Sequence, residues 1–392
     1  MLKERLQSLK KNFFKISLIT LVLLLFLEII FRIGAYFYYH PYGTHFSNQV
    51  MGMWRSDSTL IWDNQPHYLF HDKSGSYNEA ACRSAAGDVI MPKKEKGEIW
   101  ILLSGGSSML GIGANREGDY FAITQVADHL KETAIDGLLE NILNKKGKHK
   151  YRVFNCSVSG FTSWQAFSKA RKMLALYDFD WVISMDGQND PCSIPENKNA
   201  RNVIESYWTE FLNKQHPFQN QMKWMERSAL IYCTIRTKYN LSVAMQEEKD
   251  SIVTRKKYQK LPIKIQYAPE SAVSKGVLSF QESIIAENNW FEQKGIKHLH
   301  FIQPHLSLRK AENMRSTEKI VAQYYSTLKK DTMNTYFKNI HEIKWPSEKI
   351  IPLNEMHHLP YWVFVDYCHL TKEANLYIAH KIAQKIEFDR VN

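Results

Sequence analysis

The chain has 392 residues, 44% hydrophobic and 13% aromatic, enough apolar material for one large core or two modest ones, which excludes a disordered chain and a disulfide-stapled miniprotein. Its 51 Lys and Arg against 40 Asp and Glu leave +11, but five of those bases (Lys3, Arg5, Lys10, Lys11 and Lys15) crowd the first fifteen residues, opposed there only by Glu4. Charge confined in this way gives little support to a nucleic-acid surface, and no nucleic-acid partner is expected.

The basic tail, residues 1–15, runs into ISLITLVLLLFL (Ile16 to Leu27), then Glu28, IIF, Arg32 and IGAYFYY. A secretory signal peptide would end its short apolar stretch at a small-residue cleavage site. Here the apolar character continues to an aromatic cluster, Tyr36, Phe37, Tyr38 and Tyr39, so an uncleaved anchor over 16–38 is expected. Its 23 residues suffice to cross a hydrocarbon layer of roughly 30 Å, with the tyrosines at the far interface. The positive-inside rule predicts a cytoplasmic N-terminus and an extracytoplasmic remainder: periplasm or cell surface, if the source is bacterial. Glu28 and Arg32 stand at i, i+4, where they can pair on one face. A sharper reading of Glu28 is that a partner helix in a membrane protein recognises it.

Residues 39–97 are polar and turn-rich (HPYG, NQPHY, HDKSGS, AAGD) and read as an irregular lead-in. The fold proper, 98–392, begins with IWILLS (Ile99 to Ser104), a continuous apolar run of the kind found in buried parallel strands. A helical pattern from about Tyr120 to Leu143 follows, then strand YRVFNCS (Tyr151 to Ser157), a helix from Ser163 to about Tyr177, and strand WVISMD (Trp181 to Asp186). Residues 192–275 break this rhythm and read as an insertion; RKKYQK (Arg255 to Lys260) within it is a solvated face, or a contact for anionic lipid or acidic polysaccharide. The alternation then resumes with a helix from about Val277 to Gln293, strand HLHFIQ (His298 to Gln303), a helix from about Ser316 to Phe337 and a last helix from Lys372 to about Phe388. This order predicts a three-layer αβα domain around a central parallel sheet, flavodoxin-like in class.

Ligands in open α/β sheets bind beyond the carboxyl ends of the strands. After the first strand comes Gly105-Gly106-Ser107-Ser108-Met109-Leu110-Gly111, a tight turn that exposes a serine hydroxyl and frees backbone N–H groups to hold an oxyanion. Ser159-Gly160-Phe161-Thr162 follows the second strand, and its glycine allows close approach of a backbone N–H. Asp186-Gly187-Gln188-Asn189-Asp190 ends the third and offers an amide donor. Near the C-terminus, Asp366-Tyr367-Cys368-His369 puts a carboxylate three residues before an imidazole it can orient. Each element alone is ordinary loop chemistry. Together, in order, they supply nucleophile, base, base-orienter and oxyanion donors, the set that acyl transfer requires.

These blocks resemble those of the SGNH/GDSL hydrolases. GGSSMLG is similar to the GDSxxxG block, NCSVSG to the glycine block, GQND to GxND and DYCHLT to DxxHL; FIQPHL (Phe301 to Leu306) is similar to a strand often present in that family. The resemblance covers roughly 98–390 apart from the insertion. It implies a catalytic triad of Ser107, Asp366 and His369 and an oxyanion hole from Ser107, Gly160 and Asn189. One position departs from the pattern, since Gly106 stands where the family usually has Asp. The function implied is a membrane-anchored serine esterase acting on an O-acyl (acetyl) ester of a glycan or lipid. Two alternatives keep the same fold: an O-acetyltransferase of cell-surface polysaccharide using the same triad with a membrane protein partner, and a non-catalytic scaffold.

No GxSxG elbow, Walker A loop, GxGxxG or HExxH occurs, so no cofactor and no metal are expected. The neighbouring His357 and His358 read as polar loop residues, and Asp186 and Asp190 as helix-capping or turn residues. The five cysteines (Cys82, Cys156, Cys192, Cys233 and Cys368) contain no CxxC. One or two bridges among them are compatible with an oxidising compartment, but Cys156, in an apolar strand-like run, reads as a buried free thiol.

Overall fold

The computed structural model describes residues 2–39, 54–68, 76–113, 132–145, 149–190, 228–230 and 270–391. The predicted helical residues 120–131, nearly all of the 192–275 insertion and its RKKYQK run, Cys192 and Cys233 lie outside them. The chain divides into two compact units, Met1–Gly52 with Leu212–Leu261, and Met53–Phe211 with Pro262–Asn392.

In the first unit α1 (Leu2–Tyr39) is one unbroken helix. Its stretch Asn12–Phe37 is, among the described residues, the one helix long and apolar enough to cross a membrane, and its leucines, its isoleucines and all its phenylalanines but Phe31 are exposed. Glu28 pairs with Arg32 at 2.7 Å, as their spacing allows. The same carboxylate also accepts from the Ser228 hydroxyl (2.6 Å) and from the backbone N–H groups of Ala229 (2.9 Å) and Leu230 (3.0 Å), where a helical turn begins. A partner segment for Glu28 is therefore supplied by this chain itself.

In the second unit the alternation of β4 (Glu98–Gly105) builds the three layers. Ile99, Ile101 and Leu103 face one side, with α3 (Ile135–Lys145) and α7 (Lys372–Val391); Trp100 and Leu102 face the other, with α4 (Ser163–Leu176) and α5 (Glu270–Gln293). A strand buried on both faces is why the sequence reads as an uninterrupted apolar run. Each such Leu or Ile contributes about 1.5–3 kcal/mol by burial.

β4 pairs in parallel with β5 (Lys150–Asn155) and β6 (Trp181–Asp186), β6 with β7 (Lys297–Ile302), and β7 with β8 (Ile350–Pro352). The parallel order β5-β4-β6-β7-β8 is the doubly wound flavodoxin-like order, with its switch point between β4 and β6. The expected three-layer α/β architecture is the one observed. The sequence reading lacked β8, whose IIP is too short for a pattern, and the antiparallel edge strand β3 (Arg83–Ser84) beside β5. Helix α6 (Ser316–Glu342) packs its C-terminal half against α5.

Within the lead-in, β1 (Trp54–Asp57) and β2 (Ile61–Asn64) form a hairpin bound to α4 and to the loops at Ala81 and Ser157. Buried Lys169 of α4 reaches Asp63 at 2.5 Å, and the Asn64 amide donates to the carbonyls of Ala81 and Ser157. Arg83 grips Asp136 of α3 through two bonds of 2.7 and 2.6 Å and also donates to the Leu110 carbonyl.

The free-thiol expectation for Cys156 is overturned, because Cys156 is bonded to Cys82. The antiparallel register explains it: Arg83 lies opposite Asn155, so the next pair outward is 82 against 156. Cys368 is a buried free cysteine. The bridge closes a sequence separation of 74 residues, which in the chain-entropy picture stabilises the fold by about 4 kcal/mol. Cys82→Ser/Cys156→Ser is therefore expected to lower the thermal midpoint of the detergent-solubilised chain by roughly 10 °C. An unchanged midpoint by scanning fluorimetry would show that the bridge holds nothing.

Candidate active site

Two close approaches shape the turn after β4. A Cβ at Gly105 would lie 2.4 Å from the Met185 carbonyl of β6, and one at Gly106 would lie 2.7 Å from Asn189 Nδ2. Backbone excludes any side chain at Gly105, whereas a side chain at Gly106 would displace the Asn189 amide. The departure at Gly106 thus has a steric reason in this chain, since the Asn189 amide occupies the volume a side chain there would take. α2 (Ser107–Leu110) starts immediately after, and Gly111 ends it in a left-handed conformation. In a first helical turn the backbone N–H groups are not consumed by the helix itself, and Ser107 is the first residue of this one.

The loop after β5 turns at Gly160, whose φ of +81° suits glycine, and Thr162 then opens α4 with a capping box to Gln165. Asn189 donates through Nδ2 to the Phe161 carbonyl at 2.8 Å, tying the loop after β6 to the loop after β5; an amide nitrogen carries two protons. Asp190 accepts from the backbone N–H (3.1 Å) and hydroxyl (2.6 Å) of Ser163, the capping role expected of it. Asp186 does something else: it is buried at the end of β6 with neither carboxylate oxygen hydrogen-bonded.

The Asp366–His369 loop closes on itself through the bridge between Phe364 and Leu370 and the bond from Val365 N–H to the His369 carbonyl. Asp366 Oδ1 accepts from the backbone N–H groups of His369 (2.7 Å) and Cys368 (2.8 Å), and its Oδ2 lies 2.6 Å from His369 Nδ1. His369 Nε2 is 2.8 Å from Ser107 Oγ. The carboxylate fixes the proton on Nδ1, so Nε2 is left to accept from the serine hydroxyl. Burial opposes the charge on Asp366, but the His369 imidazole and the two backbone N–H groups outweigh it and hold the carboxyl below its usual range. The geometry brings Ser107, His369 and Asp366 into one hydrogen-bonded chain, and Gly160 and Asn189 stand on the loops after the two strands flanking β4.

Several positioning residues escaped the sequence reading. The Gln303 amide, at the end of β7, donates to Ser108 Oγ (2.7 Å) and the Cys368 carbonyl (3.2 Å), and Ser108 Oγ donates to that same carbonyl (3.0 Å). This clamp fixes the Ser107 turn to the histidine loop. Arg309 donates to the carbonyls of Met356, Asn313, Leu359 and Tyr361, and Glu318 accepts from the N–H groups of Val363 and Phe364; together they order the approach to Asp366. Trp62 of the hairpin donates to the Ser159 carbonyl (3.1 Å) and packs edge-on against Phe161, supporting the Gly160 loop. Only FIQPHL had drawn attention to Gln303, and it gave no role. His357 is an ordinary polar partner, accepting from the His305 N–H.

No protein-family model and no curated protein matches the sequence. Solved structures to which the chain is similar include an acetyl xylan esterase (12% identity, TM-score 0.34, covering 74% of this chain and 100% of that one). Others are a lipase/acylhydrolase from Enterococcus faecalis (10%, TM-score 0.35, 74% and 96%) and an extracellular lipase from Streptomyces rimosus (11%, TM-score 0.34, 73% and 99%). At that identity and score, the chemistry has to be read from this chain's own residues.

Because Asp366 is ionised more readily folded than unfolded, its contribution to stability is present above the unfolded carboxylate value of about 3.9 and is lost as pH falls through the lower folded one. The thermal midpoint of the wild type should therefore exceed that of Asp366→Asn at neutral pH, and the gap should close on acidification below about pH 4. A pH-independent gap would remove the charge from the account.

Proposed function

We propose that this chain is a membrane-anchored serine ester hydrolase of SGNH/GDSL type, acting on an O-acyl ester of a glycan or lipid outside the cytoplasm. The observation that carries the reading is the hydrogen-bonded chain from Asp366 through His369 to Ser107, with the Asn189 amide against the turn that bears Ser107. The resemblance of the four sequence blocks supports the same assignment.

In the reaction, His369 Nε2 takes the Ser107 proton as Oγ attacks the acyl carbonyl carbon. Asp366 stabilises the imidazolium without taking its proton. The N–H groups of Ser107 and Gly160 and the Asn189 amide receive the tetrahedral oxyanion. Collapse passes the proton from Nε2 to the leaving alkoxide and leaves an acyl-serine; water, deprotonated by the same Nε2, attacks it, and the carboxylic acid departs as Oγ regains its proton.

Location outside the cytoplasm is supported by the basic residues before the apolar helix and by the Cys82–Cys156 bridge, since disulfides persist in oxidising compartments. The glycan or lipid substrate rests on the resemblance and on a domain tethered near a membrane. Metal and cofactor have no part in these steps.

The test is hydrolysis of p-nitrophenyl acetate by the full-length chain in detergent. Ser107→Ala and His369→Ala should each lose at least ~10³-fold in turnover; turnover surviving in Ser107→Ala, or a wild type as inert as both variants, refutes the assignment. Asn189→Ala should lose about 10²-fold. Gly106→Ala, which drives a methyl group into the Asn189 amide, should lose a comparable factor, and the double variant little more than either alone, because both remove one donor. Additive losses would separate the two residues.

A further inference from the structure

Outside the Ser107 site, β6 and β7 carry an unusual polar set into the face covered by α4 and α5. Side chains two apart on a strand share a face, so Ser184 goes with Asp186 and His298 with His300; the register puts Ser184 opposite His300. All four therefore point to one side, where α5 adds Glu287. Each of the five is at most 3% exposed, in the layer that elsewhere holds Val182 and Phe291. The Phe291 ring stacks on His298 at 4.2 Å.

Glu287 Oε1 lies 3.4 Å from His298 Nε2 and 3.6 Å from His300 Nδ1, and the ligand atoms of these three residues all fall within 4.8 Å of one another. Bonds of about 2.0–2.1 Å to a tetrahedral zinc ion imply separations of roughly 3.3 Å between its ligand atoms, close to two of the three edges here. Ser184 Oγ completes the group, 2.9 Å from Glu287 Oε1 and 3.4 Å from His298 Nε2. The second nitrogen of His300, Nε2, faces Asp186 Oδ2 at 3.8 Å, the arrangement of an outer carboxylate behind a metal-bound imidazole.

The polar inventory shows that something is needed there. Among the described residues, both oxygens of Asp186, Glu287 Oε2, His298 Nδ1 and both nitrogens of His300 have no hydrogen-bond partner. Two carboxylates and two imidazoles so left in an apolar layer carry a desolvation cost that a shared cation offsets.

We infer that Glu287, His298 and His300 bind a divalent zinc ion, with Ser184 or a water as fourth ligand and Asp186 behind His300. Two imidazoles and one carboxylate suit zinc, and a closed, fully buried setting suits a structural ion better than an open catalytic one. The ion would join β7, and through Ser184 β6, to α5 within the covered face of the sheet. The site is independent of the Ser107 chemistry.

The full-length chain, expressed with zinc in the medium and purified in detergent, should contain one zinc per chain by elemental mass spectrometry. Exposure to a chelator under mild denaturant, followed by refolding, should lower its thermal midpoint, and Zn²⁺ alone should restore it. Glu287→Gln and His300→Gln should each hold at least ten-fold less zinc and lose that response. Should both variants fail to fold, wild type refolded with Co²⁺ keeps the question open to decision through the visible absorption of a tetrahedral nitrogen/oxygen site. Wild type with under a tenth of an equivalent of zinc, a midpoint indifferent to chelator and Zn²⁺, and no Co²⁺ spectrum would overturn the inference in favour of a metal-free network of shared protons.

Discussion

The arrangement at the candidate active site depends on how closely β4 and β6 approach at their carboxyl ends. Parallel strands lie a fixed hydrogen-bonding distance apart, so a turn that leaves one and lies against the next is crowded by whatever stands at the neighbouring strand end. Gly105 and Gly106 meet that condition, one against the Met185 carbonyl and the other against the Asn189 amide. Because the constraint is steric, it also sets the chemistry. The residue following the two glycines has its hydroxyl 2.8 Å from His369 Nε2. An Asp at 106, as in the related pattern, would require Asn189 to stand elsewhere. The glycine and the nearness of the amide are thus one feature described from two sides.

Around that contact the protein uses buried polar groups as fasteners. Gln303, Ser108 and the Cys368 carbonyl clamp the serine turn to the histidine loop; Arg309 and Glu318 hold the segment before Asp366. Trp62, Asn64 and Gln165 fasten the hairpin to the Gly160 loop. Hydrogen bonds in a dry interior are directional and costly to break, the charged ones of Arg309 and Glu318 most of all. They fix three loops from different strands relative to one another, which apolar packing alone does less well. The reaction proposed above, which relies on donors preset for a developing oxyanion, would benefit from that stiffness more than from added stability.

How much of this was legible in the sequence follows from the range of each interaction. IWILLS announced a buried parallel strand because burial on both faces leaves a local, continuous apolar signature, and YRVFNC, WVISMD and HLHFIQ followed from their largely apolar character and their spacing between helical segments. The loop residues Ser107, Gly160, Asn189, Asp366 and His369 stood out because strand ends are predictable places for polar groups. β8 and the 54–64 hairpin gave no comparable signal: IIP is three residues long, and WRSD and IWDN mix charge with apolar residues because their carboxylates pair with Lys169 and Lys172 of α4. Cys156 was misread for a related reason. Its strand context described its own surroundings correctly, but its partner is set by the register of an edge strand two residues long, which no local pattern reveals.

The same argument of range accounts for Glu28 and for the buried histidines. A carboxylate in an apolar helix demands partners, and the neighbouring Arg32 was visible at four residues' distance. The stronger set, Ser228 with the N–H groups of Ala229 and Leu230, lies about 200 residues along the chain. Those backbone groups have no demand visible in sequence, since every helix start has free N–H groups and most are met by water or local caps. HLHFI likewise reads as a strand with two polar positions until Glu287, Ser184 and Asp186 arrive from other elements on the same face. In each case a side chain whose desolvation is costly marks where a tertiary contact must exist, while the identity of the contact is decided by topology.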